Sequence, residues 1–587
     1  MEKKKILSVV LASFMAISIT GCELNTSKAE QEKFNEFINN DFIEMMESDW
    51  TYAHIYLENP EKFGVDESTI EVSWGEVPND TIYDEIRQRD QELVNEWEQF
   101  HRDKLTDKQK VIYDTYDFYL ELNTNLSKEK FDYVYNYFST LSGVHTQFAT
   151  FFSDITLIDE TDVTDMLLLL EDTKPFVEEL IQYTNTQAEK GYLMINLDSV
   201  IEYCTEIVNQ GSNSSILSCL KDNIEEANIS DEKKEQYKKD AEELFLSSFI
   251  PAYENIISSM ESLKESDKNE DGLWALENGV QYYEYLFQNA TGSNRSVDGT
   301  RNLLYEVADD AWNEISEILQ RRPDLEEKFY DDEITTSYVD YESMLSDLST
   351  KIKEDFPEIG EINYQIEPIA EEIVNDGVAA YFNIPAIDGT TAKKIRVNES
   401  SEKQSINSIS TFKTIAHEGF PGHMYQIAYL YENIESPWLK VNTNIGFDEG
   451  VATYIEYYSL KYLDDIDSDY LSLYENMEVY SNCIFALLDI SVHYDELSKN
   501  EVIDMIVEMG YDEESAFLIY EQLQENPTAF LSYYVGYAEI IDLKNKAENK
   551  LGDNFNDTEF HEALQKNGSV PFSIIQDSVK SYIEESQ

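Results

Sequence analysis

The sequence is poor in basic residues. It holds 43 Lys and Arg against 118 Asp and Glu, a formal net charge of −75 over 587 residues. A surface of that sign repels a phosphate backbone, which excludes nucleic acid as a partner. The acidity reads as a solvated, solubilising face, with a preference for cationic ligands or divalent ions as the alternative. Proline (12) and glycine (21) are sparse, so the long periodic segments have few built-in breaks. The four cysteines, Cys22, Cys204, Cys219 and Cys483, match no thiolate metal spacing. A Cys204–Cys219 disulfide and free buried thiols both stay open. With only seven histidines in the chain, two that fall close together stand out.

What is present is globular: 42% hydrophobic residues and 13% aromatics, including 40 Tyr and 28 Phe. From about residue 31 the chain is a succession of amphipathic segments. Phe34, Phe37, Ile38 and Phe42 fall on one stripe, the spacing of a core-facing helix. The stretch 163–191 reads as a helix broken near Pro175, and 233–265 as a long helix kinked or interrupted at Pro251. The expectation is a mainly α protein, a large multi-helix bundle, with residues 31–587 as one domain. One stretch departs from the helical period. Residues 379–398, two short extended runs flanking Asp388-Gly389, predict a small β-hairpin just before the histidine pair. Such a strand either aligns an extended peptide by backbone pairing or is a plain surface hairpin.

The first residues form an address. A basic MEKKK precedes a short apolar run, ILSVVLASFMAISIT, too short for a comfortable membrane span. Ile19-Thr20-Gly21-Cys22 resembles the lipobox of bacterial lipoproteins. The resemblance implies a signal peptide over 1–21, cleavage before Cys22, lipid on its thiol, and a tether over 22–30. The chain is then expected on the outer face of a bacterial membrane, held by its lipid.

The histidine pair lies in HEGFPGH, residues 417–423. Phe412, Ile415 and Ala416 repeat at helical spacing, so His417 and Glu418 are expected to end a buried helix. Residues six apart on an unbroken helix differ by roughly 120° in direction, too far for two imidazoles to share an ion. Pro421 withholds the amide a continuing helix needs, and Gly422 reaches backbone angles other residues avoid. A two-residue bulge would swing His423 back toward His417. Downstream, Glu449, Thr453 and Glu456 sit at i, i+4 and i+7 on one helical face beside an apolar one. Buried carboxylates call for a cation. Glu449 is therefore the expected third ligand, with Glu456 holding a ligand histidine.

HEGFPGHMYQ together with FDEGVATYIEYY closely resembles the bacterial family called domain of unknown function 885. Its motifs read approximately H-E-x-x-P-G-H-x-x-Q and E-G-W-A-x-Y-x-E, and Val451 stands here where the family carries tryptophan. The family is regarded as zinc-peptidase-like, similar to thimet oligopeptidase, neurolysin and carboxypeptidase Taq. The resemblance implies a helical fold with a deep substrate channel and a Zn2+ cofactor. It implies zinc held by His417, His423 and Glu449, with Glu418 as general base, and Tyr533 and then Tyr537 as oxyanion donors. Gln426 is expected to support a ligand. The expectation is a lipid-anchored zinc metallopeptidase, a hydrolase of short peptides. The alternative is an extracellular peptide-binding lipoprotein whose metal is not catalytic. Arg295, Arg301 and Arg396 are candidates for holding a substrate's terminal carboxylate.

Overall fold

Apolar residues three and four apart drive most of the chain into helix, and the computed structural model describes it over residues 23–330, 334–370, 373, 379–398 and 405–587. The expected signal peptide and Cys22 lie outside the described residues. Helix Glu23–Ser48 buries Phe34, Phe37, Ile38 and Phe42 on one stripe. The Phe34 and Phe37 rings meet Trp97, and the Phe37 and Tyr116 centroids are 5.4 Å apart. Of the expected tether over 22–30, residues 23–30 are already part of this helix, which starts at Glu23. The segment is tied down at its end, where Glu30 accepts from Lys104 Nζ at 2.7 Å and from the His101 amide at 2.8 Å.

The two internal prolines behave differently from each other. Helix Glu160–Lys190 runs unbroken through Pro175, contrary to the break expected there. The carbonyl left without its amide is that of Glu171, and Ser248 Oγ donates to it at 2.8 Å. Ser248 belongs to a single π-turn, Phe245–Phe249, which separates helix Asp231–Leu244 from helix Ile250–Leu263. That wide turn falls just before Pro251 and is the interruption expected there.

The expected hairpin is present as β2 (Ala380–Asn383) and β3 (Lys393–Val397), antiparallel, with Ala380 opposite Val397. The sheet has a third strand, β1 (Tyr364–Pro368), parallel to β3 on its other side, so the order is β1-β3-β2 and β2 is an edge. The loop between β2 and β3 is fastened to the N-terminal segment. Asp388 accepts from the Glu58 amide (2.8 Å), Asn59 Nδ2 and Lys62 Nζ (both 3.1 Å). Arg396 on β3 pairs with Asp154 (2.9 Å) and Glu367 (2.5 Å), locking the sheet to helix Val144–Asp154.

The protein is mainly α with this one small sheet. Among the described residues the apolar interior divides into two large clusters and a small one around Leu488, Ile506 and Leu523. One large cluster gathers Phe148, Phe152, Leu169 and Phe249. The other joins the N-terminal helix to the C-terminal half and contains Phe412, Ile415, Met424, Val451, Ile455 and Val535, the residues that frame the histidine pair. Among the described residues Cys204, Cys219 and Cys483 form no disulfide.

Candidate metal site

Helix Ile409–Glu418 is capped by Ser408, whose Oγ accepts from the Thr411 amide at 2.9 Å, and it ends where the buried apolar spacing ends. The expected bulge is a full break. Gly419–Gly422 forms a turn, and a new helix, His423–Asn433, starts at the second histidine. The turn closes through Gly419 N–H to Ile415 O (2.9 Å) and Gly422 N–H to Ala416 O (3.0 Å). Gly422 is required by close approach: a Cβ there would sit 1.8 Å from the His417 carbonyl oxygen. With the backbone folded back this tightly, the His417 and His423 rings stand 4.7 Å apart and nearly perpendicular, at 85°.

Helix Ile445–Tyr458 brings the carboxylates. It crosses helix Leu531–Leu551 at glycines, where a Cβ on Gly450 would lie 2.5 Å from the Gly536 backbone. The close crossing seats Tyr533 against His417, ring centroids 6.2 Å apart and stacked at 22°. Val451, in place of the tryptophan, is buried.

His417, His423 and Glu449 form a group whose ligand atoms all lie within 4.8 Å of one another, an arrangement that can hold a metal ion. His417 Nε2 and His423 Nε2 are 3.4 and 3.3 Å from Glu449 Oε2. That oxygen is buried and takes no hydrogen bond. The other nitrogen of each ring is occupied. Glu456 Oε1 is 2.8 Å from His417 Nδ1, and Gln426 Oε1 is 3.0 Å from His423 Nδ1. Both partners accept, which puts the ring protons on Nδ1 and turns the Nε2 lone pairs toward Glu449. Two imidazoles and one carboxylate whose buried oxygen is otherwise orphaned fit a zinc-type cation.

The surrounding carboxylates favour positive charge at this point, whether carried by protons on the rings or by a cation between them. Burial pushes His417 toward the neutral form, but Glu449 and Glu456 outweigh it and hold its pKa well up. His423 is likewise raised, against burial, by Glu449. Burial would raise Glu449 itself, yet the two imidazoles hold it far down. Glu418 differs: burial raises it, Glu449 adds to the rise, and the imidazoles oppose. Its Oε1 is 3.9 Å from His417 Nε2, and the Phe382 amide on edge strand β2 favours the charged carboxylate.

Not every expected residue reaches this centre. Tyr537, expected beside Tyr533, is 6% exposed with its ring on Tyr457 (5.4 Å), and its nearest titratable influences are Glu475 and Cys483. One turn of helix past Tyr533, it faces the interior. The three arginines are each taken by carboxylates. Arg295 pairs with Glu539 and Asp542, Arg301 with Asp495, and Arg396 with Asp154 and Glu367. Sequence reasoning missed Lys413, which is buried, 3.2 Å from Glu456, and bonded to Glu478. A lysine four residues before His417 among Phe412, Ile415 and Ala416 was the signal for it.

The family model described as bacterial protein of unknown function (DUF885) matches residues 63–579. The chain belongs to this family. A solved structure from Colwellia psychrerythraea, provisionally described as a lipoprotein, superposes with a TM-score of 0.80 at 17% identity, covering 95% of this chain and 99% of its own. A second such structure, from Shewanella oneidensis, gives a TM-score of 0.63 at 17% identity, covering 92% and 98%. At these identities the likeness establishes the fold. Trypanosoma cruzi metallocarboxypeptidase 1 aligns over 96% of this chain and 98% of its own at 10% identity, with a TM-score of 0.39, too low to bear on function. No curated protein matches the sequence.

Proposed function

We propose that this DUF885 protein is a zinc-dependent peptidase of the cell surface, anchored by lipid on Cys22, that hydrolyses short peptides drawn into a channel between its helices. The observation that carries the reading is the convergence of His417 Nε2, His423 Nε2 and Glu449 Oε2, with both outer ring nitrogens already engaged. These three residues would hold the ion, leaving room for water in its coordination shell. When bound, zinc polarises a carbonyl and makes water more acidic.

The chain's own residues supply the rest. Glu418 accepts a proton from the water that attacks the peptide carbonyl and delivers it to the leaving nitrogen as the C–N bond breaks. The carboxyl is buried, and the Phe382 amide steadies it. Tyr533, stacked on His417, donates a hydrogen bond to the carbonyl oxygen as negative charge gathers there. Edge strand β2 lies against Glu418, so an extended peptide can align beside it through backbone bonds.

A peptide-binding lipoprotein with a non-catalytic metal is the competing reading, and Glu418 speaks against it, since a structural site needs no base. Glu418→Gln separates the two. It is expected to keep zinc and to cut hydrolysis of a mixed peptide library, followed by mass spectrometry, by about 10²- to 10⁴-fold. Undiminished cleavage by the variant, or peptides retained intact by the parent, would refute the proposal. Among the described residues no helix is long and apolar enough to cross a membrane. Metabolic labelling with a fatty acid, lost in Cys22→Ser, checks the anchor.

A further inference from the structure

Lys413 is a buried cation that the proposed chemistry leaves unused. It lies on the same helix face as His417, one turn earlier, and only 6% of it is exposed. Its Nζ bonds Glu478 of helix Ser468–His493 and lies 3.2 Å from Glu456 Oε2. The faces of Tyr457 and Tyr474 close over it, with centroids 4.9 and 5.5 Å from Nζ. The ammonium is confined by two carboxylates and two rings, so it has one place to be.

The consequence lies in Glu456. Its two oxygens are divided: Oε1 engages His417 Nδ1 at 2.8 Å and Oε2 engages Lys413 Nζ. Swinging the carboxyl away from the imidazole would break the lysine contact as well. A plain staple between helices would need only Glu478.

We infer that Lys413 is a positioning residue of the metal centre, fixing Glu456 so that Glu456 fixes the His417 ring. This rests on the reading of His417, His423 and Glu449 as zinc ligands, and it adds to that reading the partner that holds the ligand's partner. Outer partners of ligating histidines typically govern metal affinity by about 10- to 100-fold.

The test is zinc affinity, measured by chelator competition on the full folded chain, so that it does not depend on turnover. Removing Lys413 alone would strand two half-buried carboxylates, so the comparison starts from Glu478→Gln, which keeps the Lys413–Glu456 contact. That variant is expected to bind zinc within about threefold of the parent, and adding Lys413→Met to weaken binding about 10- to 100-fold. The zinc-free pair should still melt cooperatively, close to Glu478→Gln. Lys413→Arg, which keeps the charge, is expected to retain affinity within about threefold and serves should the Met pair not fold. In a Glu456→Gln background, Lys413→Met should add little, because the link is already cut. Unchanged affinity on adding Lys413→Met, losses that simply add in the Glu456→Gln background, or Lys413→Arg no better than Lys413→Met would overturn the inference. A parent chain that binds no zinc would instead overturn the reading beneath it.

Discussion

Two pairs of histidines, three of the four rings buried and His423 half-buried, face opposite fates in this protein. In the C-terminal core, His493 and His561 have both ring nitrogens closed off by the protein. His493 Nδ1 accepts from the Leu273 amide at 3.2 Å and Nε2 donates to Leu523 O at 2.9 Å. His561 bonds Asp355 O at 2.7 Å and the Tyr454 hydroxyl at 3.0 Å, and Phe356 stacks on its ring. Burial pushes both down, His493 to about 4, so they stay neutral. His417 and His423 are held at one nitrogen only. The other nitrogen of each points at a carboxylate oxygen that nothing else satisfies. Burial alone does not separate a ligand from a core histidine. Between these two pairs the difference is the second nitrogen, which meets a protein partner in one and a shared carboxylate oxygen in the other. The buried His145, whose Nδ1 is also unpartnered, has no such carboxylate in a ligand cluster among the described residues.

That contrast can be broken most forcefully at Gly422. Gly422→Ala drives a Cβ into the His417 carbonyl and should unseat His423. Overpacking of this kind costs about 1–3 kcal/mol, here expected at the upper end, with zinc affinity lost as well. A melting curve and a chelator titration read both. On the closed side, His493→Phe strands the Leu273 amide and the Leu523 carbonyl, for a loss of about 2 kcal/mol in urea unfolding, with zinc binding unchanged. A loss of zinc there would erase the contrast.

The smallest effect concerns Asp489, one turn before His493. It accepts from the Tyr283 hydroxyl (2.6 Å) and the Thr528 amide (2.9 Å), and burial pushes its pKa up to about 7. The unfolded carboxyl titrates near about 3.9. Between these values the folded chain holds a proton the unfolded chain has lost, so stability falls as pH rises, by about 1.4 kcal/mol per unit. Asp489→Asn should remove that slope. Urea midpoints at pH 5 and 6 check it, and an unchanged slope would place the proton elsewhere.

Much of this was legible in the sequence because it is local. Helical spacing marked Phe34, Phe37, Ile38 and Phe42 as core, and the run up to Ala416 marked Glu418 as a helix end. Asp388-Gly389 marked the hairpin. The features that escaped depend on distant partners. Strand β1 pairs in parallel with β3, and a parallel partner leaves no turn in the sequence. Pro175 does not break its helix because Ser248, far along the chain, takes over the orphaned carbonyl. The bulge expected at Pro421-Gly422 is two helices, since His423 can begin a helix as easily as continue one. Tyr533 and Tyr537 look equivalent in sequence, and only the crossing at Gly450 and Gly536 decides which of them faces His417.

The most direct measurement is the zinc content of the purified protein and of two histidine variants, one from each pair. The account predicts one zinc per chain in the parent, one in His561→Phe, and none in His423→Ala. A parent without zinc, or a His423→Ala variant that keeps it, would contradict it.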